Sequence, residues 1–318
     1  MRLCRVTNFG TGSEMAFYYD DHVVPVANAH QMNHLAMDSR LPMLPSVAGS
    51  VIDYLPPNWS KYGILQDLES VAEVMSDSEE MTLSLEDLWL DAPFPMPNKV
   101  LCLAGNYAEH VREGGGKPVD KEKTFPFFFM KPPTTTIRGP HAPIALPDFS
   151  PEYIDWEVEL TVIIGAHVKD IEVEDANDAI AGYTIGLDMS NRKLKLNPDR
   201  EQQERTAFHE WLCGKWHDGF APVGPCLVAN DGEFDPTNAD ISLSVNGEVM
   251  QSSNTANMVF NVYEIVSYAS KIMTLEPGDI IMTGTPSGVG AAKNIYLKSG
   301  DEISATIDGI GTLVTPVA

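Results

Sequence analysis

Apolar residues recur at two different periods along the chain, and the strand period becomes the dominant one beyond the stretch 92–97. Residues 2–6 alternate as a strand, a turn is expected from Gly10 to Gly12, and strands follow around Phe17 and Val23, separated by Asp20-Asp21. This predicts a small antiparallel meander. Over residues 61–75 the apolar positions Ile64, Leu65, Leu68, Val71 and Val74 are spaced as on a helix, which Ser76-Asp77-Ser78 ends. The proline-rich stretch 92–97 reads as a linker, so a small N-terminal domain over 1–95 and a larger domain over 96–318 are expected.

Beyond the linker, short β-patterned runs dominate: 100–103, 125–130, 154–164, 185–189, 241–245, 249–252, 279–283, 303–307 and 311–314. Helical patterns interrupt them after Asn106, over 173–180, within 201–211 and over 262–273. They do not alternate regularly with the strands, which disfavours a wound βαβ sheet and predicts an α+β, mainly β fold. Asn246-Gly247 between two alternating runs signals a two-residue hairpin.

Composition narrows the partners. The 318 residues are 43% hydrophobic and 21% charged, enough for a packed core. The formal charge of -24 repels phosphate backbones and anionic head groups, so neither nucleic acid nor membrane is expected as a partner. It also repels a small anionic substrate, so a site for one must reverse the sign locally with a cation or backbone amides. Cys4, Cys102, Cys213 and Cys226 form no CxxC pair and read as buried free thiols. No signal-peptide core or membrane-length apolar run occurs, and a cytoplasmic location is expected.

Several stretches could carry chemistry. In Asp155-Trp156-Glu157-Val158-Glu159-Leu160, read as one strand, Glu157 and Glu159 share a face. That pattern fits either a solvated face or a hard-cation site. Asp188, ending the apolar run 183–187, would be a third oxygen donor or a plain strand-end acid. His110 and Glu113, three apart on a helix, suit a general base held by a carboxylate, although a surface pair has the same spacing. Gly114-Gly115-Gly116 reads as a mobile lid or a slack loop, and the run 282–290 as an anion-holding or structural turn. Lys131 and Lys215 are cations in a Lys-poor chain. His30 and His34 are expected to be structural, and Trp211 and Trp216 to lie in the core.

Seven fragments in order, GNYAEHVRE, FFFMKPPTT, DWEVELTVIIG, GYTIGLDMSNR, GKWHDGFAPVGP, VNGEVMQSSNTANMVF and EPGDIIMTGTPSGVG, resemble the fumarylacetoacetate hydrolase superfamily over most of residues 97–316. The first ninety or so residues resemble the variable small domain of many members. The resemblance implies the family's mixed β-roll, commonly a homodimer. Glu157, Glu159 and Asp188 would be ligands to Mg²⁺ or Mn²⁺, with Ca²⁺ a further option. His110 and Glu113 would activate water, and Lys215 would neutralise developing charge. Lys131, Thr285, Gly284, Asn106 and Arg192 would contact substrate. Two departures bear on the substrate: Lys131-Pro132-Pro133 replaces the common KPS, and Ser190-Asn191-Arg192-Lys193 replaces SARD. The segment 195–211 is longer or more polar than is common.

The activity implied is metal-dependent hydrolysis of a C–C bond in an acylpyruvate-type 2,4-dioxo acid. Isomerisation or decarboxylation of 2-oxo-diene-dioates or oxaloacetate is the alternative, as is chemistry on 2-oxo-3-deoxy sugar acids. From another class, a non-catalytic, metal-stabilised binding module is the rival, and the survival of His110, Glu113 and the three acids together speaks against it.

Overall fold

A computed structural model describes residues 1–8, 12–37, 51–78, 82–196, 199 and 201–318; the expected turn at Gly10 to Gly12 lies in part outside them. The fold is α+β and mainly β. One large mixed sheet runs, in order, through Leu83–Ser84, His22–Pro25, Gly12–Tyr18, Arg2–Asn8, Ala221–Ala229, Ile180–Leu187, Val158–Ile164, Ile280–Met282, Val100–Ala104 and Phe127–Lys131. A second sheet orders Glu248–Asn254, Asp240–Val245, Glu302–Ile307 and Gly311–Pro316. No helix among the described residues is long and apolar enough to cross a membrane.

The N-terminal meander forms, and it is continuous with the rest: Arg2 and Leu3 pair with Val228 and Leu227. One apolar cluster accordingly mixes Leu3, Phe17, Leu65 and Leu68 with Val100, Ile163, Val223 and Ile280. The sheet therefore crosses the linker in sequence without a break in packing. The linker itself is irregular, as expected.

Several elements differ from the sequence reading or were not read from it. Ala221–Ala229, central and wholly buried, is disguised by Pro222 and Pro225, residues normally kept out of inner strands. The ladder with Ile180–Leu187 shifts register between Tyr183 and Ile185, close to where Pro225 has no N–H to give. Val26–Met37 is a helix whose small, polar residues show no strong apolar stripe; His30 and His34 stack edge-on there at 4.7 Å. The expected helix over 173–180 is a 3-10 turn, Val173–Ala179. Gly114 to Gly116 close a helix instead of forming a slack loop: the amides of Gly115 and Gly116 bond Arg112 O and Val111 O at 2.9 Å each, and Gly115 takes φ +78°. At the hairpin tip, Asn246 and Gly247 both take positive φ, as a tight hairpin turn needs.

The run 154–164 is two strands. Ile154–Asp155 pairs with Ser190–Asn191 in a small ribbon, whereas Val158–Ile164 belongs to the large sheet. Trp156 and Glu157 make the crossing between them. Every residue of Val158–Ile164 is buried, so the solvated face allowed by the alternation does not exist.

Candidate active site

Three neighbouring segments deliver the acids. Glu157 sits on the crossing, where its carbonyl accepts the Asp188 amide at 2.9 Å, and Asp188 follows the end of Ile180–Leu187. Glu159 lies two residues into the adjacent strand. Glu157, Glu159 and Asp188 are only 4%, 1% and 1% exposed, and each offers an oxygen within 4.8 Å of the others. Such crowding of buried carboxylates is costly unless cations offset it.

Protein cations do so only in part. Lys215 Nζ donates to Glu157 Oε2 at 2.7 Å and Asp188 Oδ2 at 2.6 Å, and Arg192 pairs with Glu157 while its Nε reaches Asp155 Oδ2 at 2.7 Å. Lys131 Nζ lies 2.7 Å from Asp188 Oδ1, but it donates to the carbonyls of Met189, Lys215 and Phe220, each at 2.9 Å. With an ammonium's three N–H groups spent on carbonyls, Asp188 Oδ1 has a charge beside it and no hydrogen bond. Burial raises the Glu157 carboxyl, but Arg192 and Lys215 outweigh it and hold the group below the ordinary glutamate range. Glu159 goes the other way, pushed well up by burial and then by Asp188 and Glu157. Burial lowers Lys215, yet Asp188 and Glu157 more than restore its charge.

These features fit a hard dication. The donors are all oxygens, one oxygen is buried without a donor, and among the described residues Glu159 has no ion pair, only the Gly284 amide. Counting Asp155, and with Glu159 ionised as it would be on a bound cation, four carboxylates here face the three cations Lys131, Arg192 and Lys215. One negative charge is left over, and a bound dication turns the balance positive.

The acids open onto a cavity of about 210 Å³ whose walls include His110, Arg192, Lys215, Thr285, Phe129 and Trp211. His110 and Glu113 form a pair, Nδ1 to Oε1 at 2.8 Å, and Glu113 Oε2 accepts from Gly288 N at 2.8 Å. Although burial raises the Glu113 carboxyl, these bonds bring it below its usual value.

The amides of the run 282–290 hold carboxylates, and these are the protein's own side chains. Gly284 N donates to Glu159 Oε2 at 2.7 Å, Gly288 N to Glu113, and Gly290 N to Asp155 Oδ1 at 2.7 Å. A side chain at Gly284, φ +94°, would meet Asn106 Cβ at 2.7 Å, and one at Gly288, φ +107°, would run into Met250 O.

The expected substrate contacts divide. Arg192 and Thr285 reach the cavity wall, and Gly284 reaches Glu159 instead. Asn106 is spent on the backbone: its Nδ2 donates to Phe260 O at 2.9 Å and Thr283 O at 2.8 Å, and its Oδ1 accepts from Phe260 N at 2.8 Å. Lys131 is wholly buried beneath Asp188. Trp216 is not core: it is 37% exposed and donates to Met130 O at 2.9 Å. Trp211, also expected in the core, comes from the helix Thr206–Cys213 and packs edge-on against Phe129 at 5.1 Å, walling the cavity. Asp155 was missed. It accepts from Trp156 N, Gly290 N and Ala291 N as well as Arg192, and its only sequence signal was its place beside the acidic pair.

An α+β chain with a buried oxygen-donor triad able to hold a metal ion, a histidine–carboxylate pair and a small cavity defines a carboxylate-lined class of site. The family model described as fumarylacetoacetate hydrolase, C-terminal, matches residues 99–318, and the chain belongs to that family. A mitochondrial oxaloacetate tautomerase of Bos taurus is 44% identical over 228 residues, 71% of this chain and 68% of its own length. A 5-carboxymethyl-2-hydroxymuconate delta-isomerase structure from Mycobacterium smegmatis is 30% identical, with TM-score 0.68 over 100% of this chain and 98% of that one. A fumarylpyruvate hydrolase from Pseudomonas aeruginosa, in complex with Mn²⁺ and pyruvate, is 35% identical, with TM-score 0.59 over 70% of this chain and 90% of that one.

Proposed function

We propose that this protein is a divalent-metal-dependent enzyme that interconverts the enol and keto forms of a small 2-oxo acid of the oxaloacetate type. The observation that carries this reading is the single chamber that Glu157, Glu159 and Asp188 share with His110. At about 210 Å³ it is smaller than the usual range of roughly 300–1,000 Å³ for ligand pockets, which favours a compact substrate. Mg²⁺ or Mn²⁺ held by the three acids would supply Lewis acidity and a countercharge for a carboxylate.

The chain's own groups do the rest. Glu113 fixes His110 through Nδ1, which leaves Nε2 to take a proton from carbon and return it. Lys215 and Arg192 keep positive charge near the oxygen that becomes negative as the proton leaves. Phe129 and Trp211 limit the space for water. The similarity to the bovine tautomerase supports proton transfer as the reaction. A second reading, C–C hydrolysis of an acylpyruvate, is favoured by the same pair: a base that can take a proton from carbon can take one from water, and the Pseudomonas hydrolase is 35% identical.

The test is to add purified protein with Mg²⁺ or Mn²⁺ to enol oxaloacetate and follow loss of enol absorbance, with acylpyruvates in parallel. Faster ketonisation than in buffer and metal alone is expected. No acceleration with either metal sinks the tautomerase reading, and turnover of acylpyruvates alone puts hydrolysis in its place.

A further inference from the structure

Strand Ile280–Met282 pairs with Val158–Ile164 only from Thr161 to Ile163, and the Thr283 amide extends the contact to Leu160 O at 3.1 Å. Past that point the chain leaves as the loop that begins at Gly284. The Val158 peptide, between Glu157 and Glu159, then has no strand partner on that side.

Gln251 takes the partner's place from the other sheet. It lies in Glu248–Asn254 and is wholly buried. Its Oε1 accepts from Val158 N at 3.1 Å, and its Nε2 donates to Thr285 Oγ1 and Pro286 O, each at 2.8 Å. Thr285 Oγ1 in turn donates to Val158 O at 2.9 Å. The bonds close a ring, Val158 N–H to Gln251, Gln251 N–H to Thr285, and Thr285 O–H to Val158, so the carboxamide stands in for a missing peptide. The loop it holds also presents Gly284 N to Glu159 and Gly288 N to Glu113.

We propose that Gln251 is a positioning residue: it completes the strand at Val158 and thereby holds the two glutamates of the metal triad in register with the loop that anchors the His110–Glu113 pair. This rests on the functional reading above. Gln251 touches neither reacting atoms nor metal ligands, and it acts through the backbone that carries them. The ring also spends the Thr285 proton on Val158 O, so this hydroxyl has no proton left for the carboxylate it was expected from the sequence to hold.

The experiment compares the wild type with Gln251→Leu, Thr285→Val and the double variant, well below their unfolding temperatures. Calorimetry gives Mn²⁺ affinity, and oxaloacetate kinetics give kcat and KM separately. Each single substitution should weaken Mn²⁺ binding about tenfold or more, as loss of groups that orient ligands does, and lower kcat with little change in KM. The double variant should be no worse than Gln251→Leu, because the ring acts as one unit. Mn²⁺ affinity and kcat within about twofold of wild type, whatever the thermal midpoint, overturn the proposal, as does additive loss in the double variant. If Gln251→Leu does not fold, Thr285→Val decides by the same readouts. A wild-type chain that takes up no Mn²⁺ is instead the mark of a failed functional reading, distinct from uptake that both variants leave undiminished.

Discussion

Replacing Lys131 with Met tests whether this ammonium supports the site from beneath or meets the substrate. The thioether fills most of the same volume, so cavity formation is a minor part of the effect. What is lost is a buried charge 2.7 Å from Asp188 Oδ1, together with the donor to three carbonyls at 2.9 Å. Removing one partner of a buried ion pair costs roughly 3–5 kcal/mol. Carbonyls left without a donor add to this, at roughly 1–3 kcal/mol each when fully unsatisfied. Because the losses share one atom they do not sum, and Lys215 still pairs with Asp188 at 2.6 Å, so about 4 kcal/mol is a reasonable total. That is a large part of a typical stability of roughly 5–15 kcal/mol. At about 2–4 °C per kcal/mol, the unfolding midpoint should fall by about 10 °C. Scanning calorimetry of the metal-free protein measures this, and the KM of whatever folded enzyme remains should change little. A midpoint within about 2 °C of wild type, with KM raised instead, would refute the reasoning and return Lys131 to the substrate.

Other outcomes follow from the same geometry. Glu159→Gln removes a carboxyl already pushed up by burial, Asp188 and Glu157, so the metal-free protein should melt no lower than wild type while Mn²⁺ uptake in calorimetry is lost. His110→Ala should lower kcat by roughly 10²–10⁴-fold and leave Mn²⁺ affinity unchanged; a parallel loss of metal would place His110 in the metal shell. Glu113 is held below its ordinary value of 4.5, so its pairing stabilises the fold above that pH and the benefit fades as pH falls through the lowered value. The stability difference between wild type and Glu113→Gln should therefore be level from neutrality down to the ordinary glutamate range and shrink only below it. A difference that already decays near neutrality would contradict the lowered value.

What the sequence by itself determined was local: the hairpin at Asn246-Gly247, the presence of the helix Trp59–Met75 though not its buried face, since Val74 is exposed, and most strands of the α+β fold. It also singled out the acids, because carboxylates have little reason to interrupt apolar strands, and the His110–Glu113 pair, because residues three apart on a helix are neighbours. Only the tertiary structure decided which groups face one another. The break at Trp156-Glu157 came from pairing Ile154–Asp155 with Ser190–Asn191, a contact 37 positions apart at Ile154 and Asn191 that no local period records. Lys131 and Asn106 changed from expected ligand contacts to internal supports because their partners, Phe220 and Phe260, lie far along the chain. Ala221–Ala229 could be a central strand despite its prolines in part because the ladder with Ile180–Leu187 shifts register where Pro225 has no donor. Side-chain type and spacing set what a residue can do, and long-range pairing sets which partner it does it with.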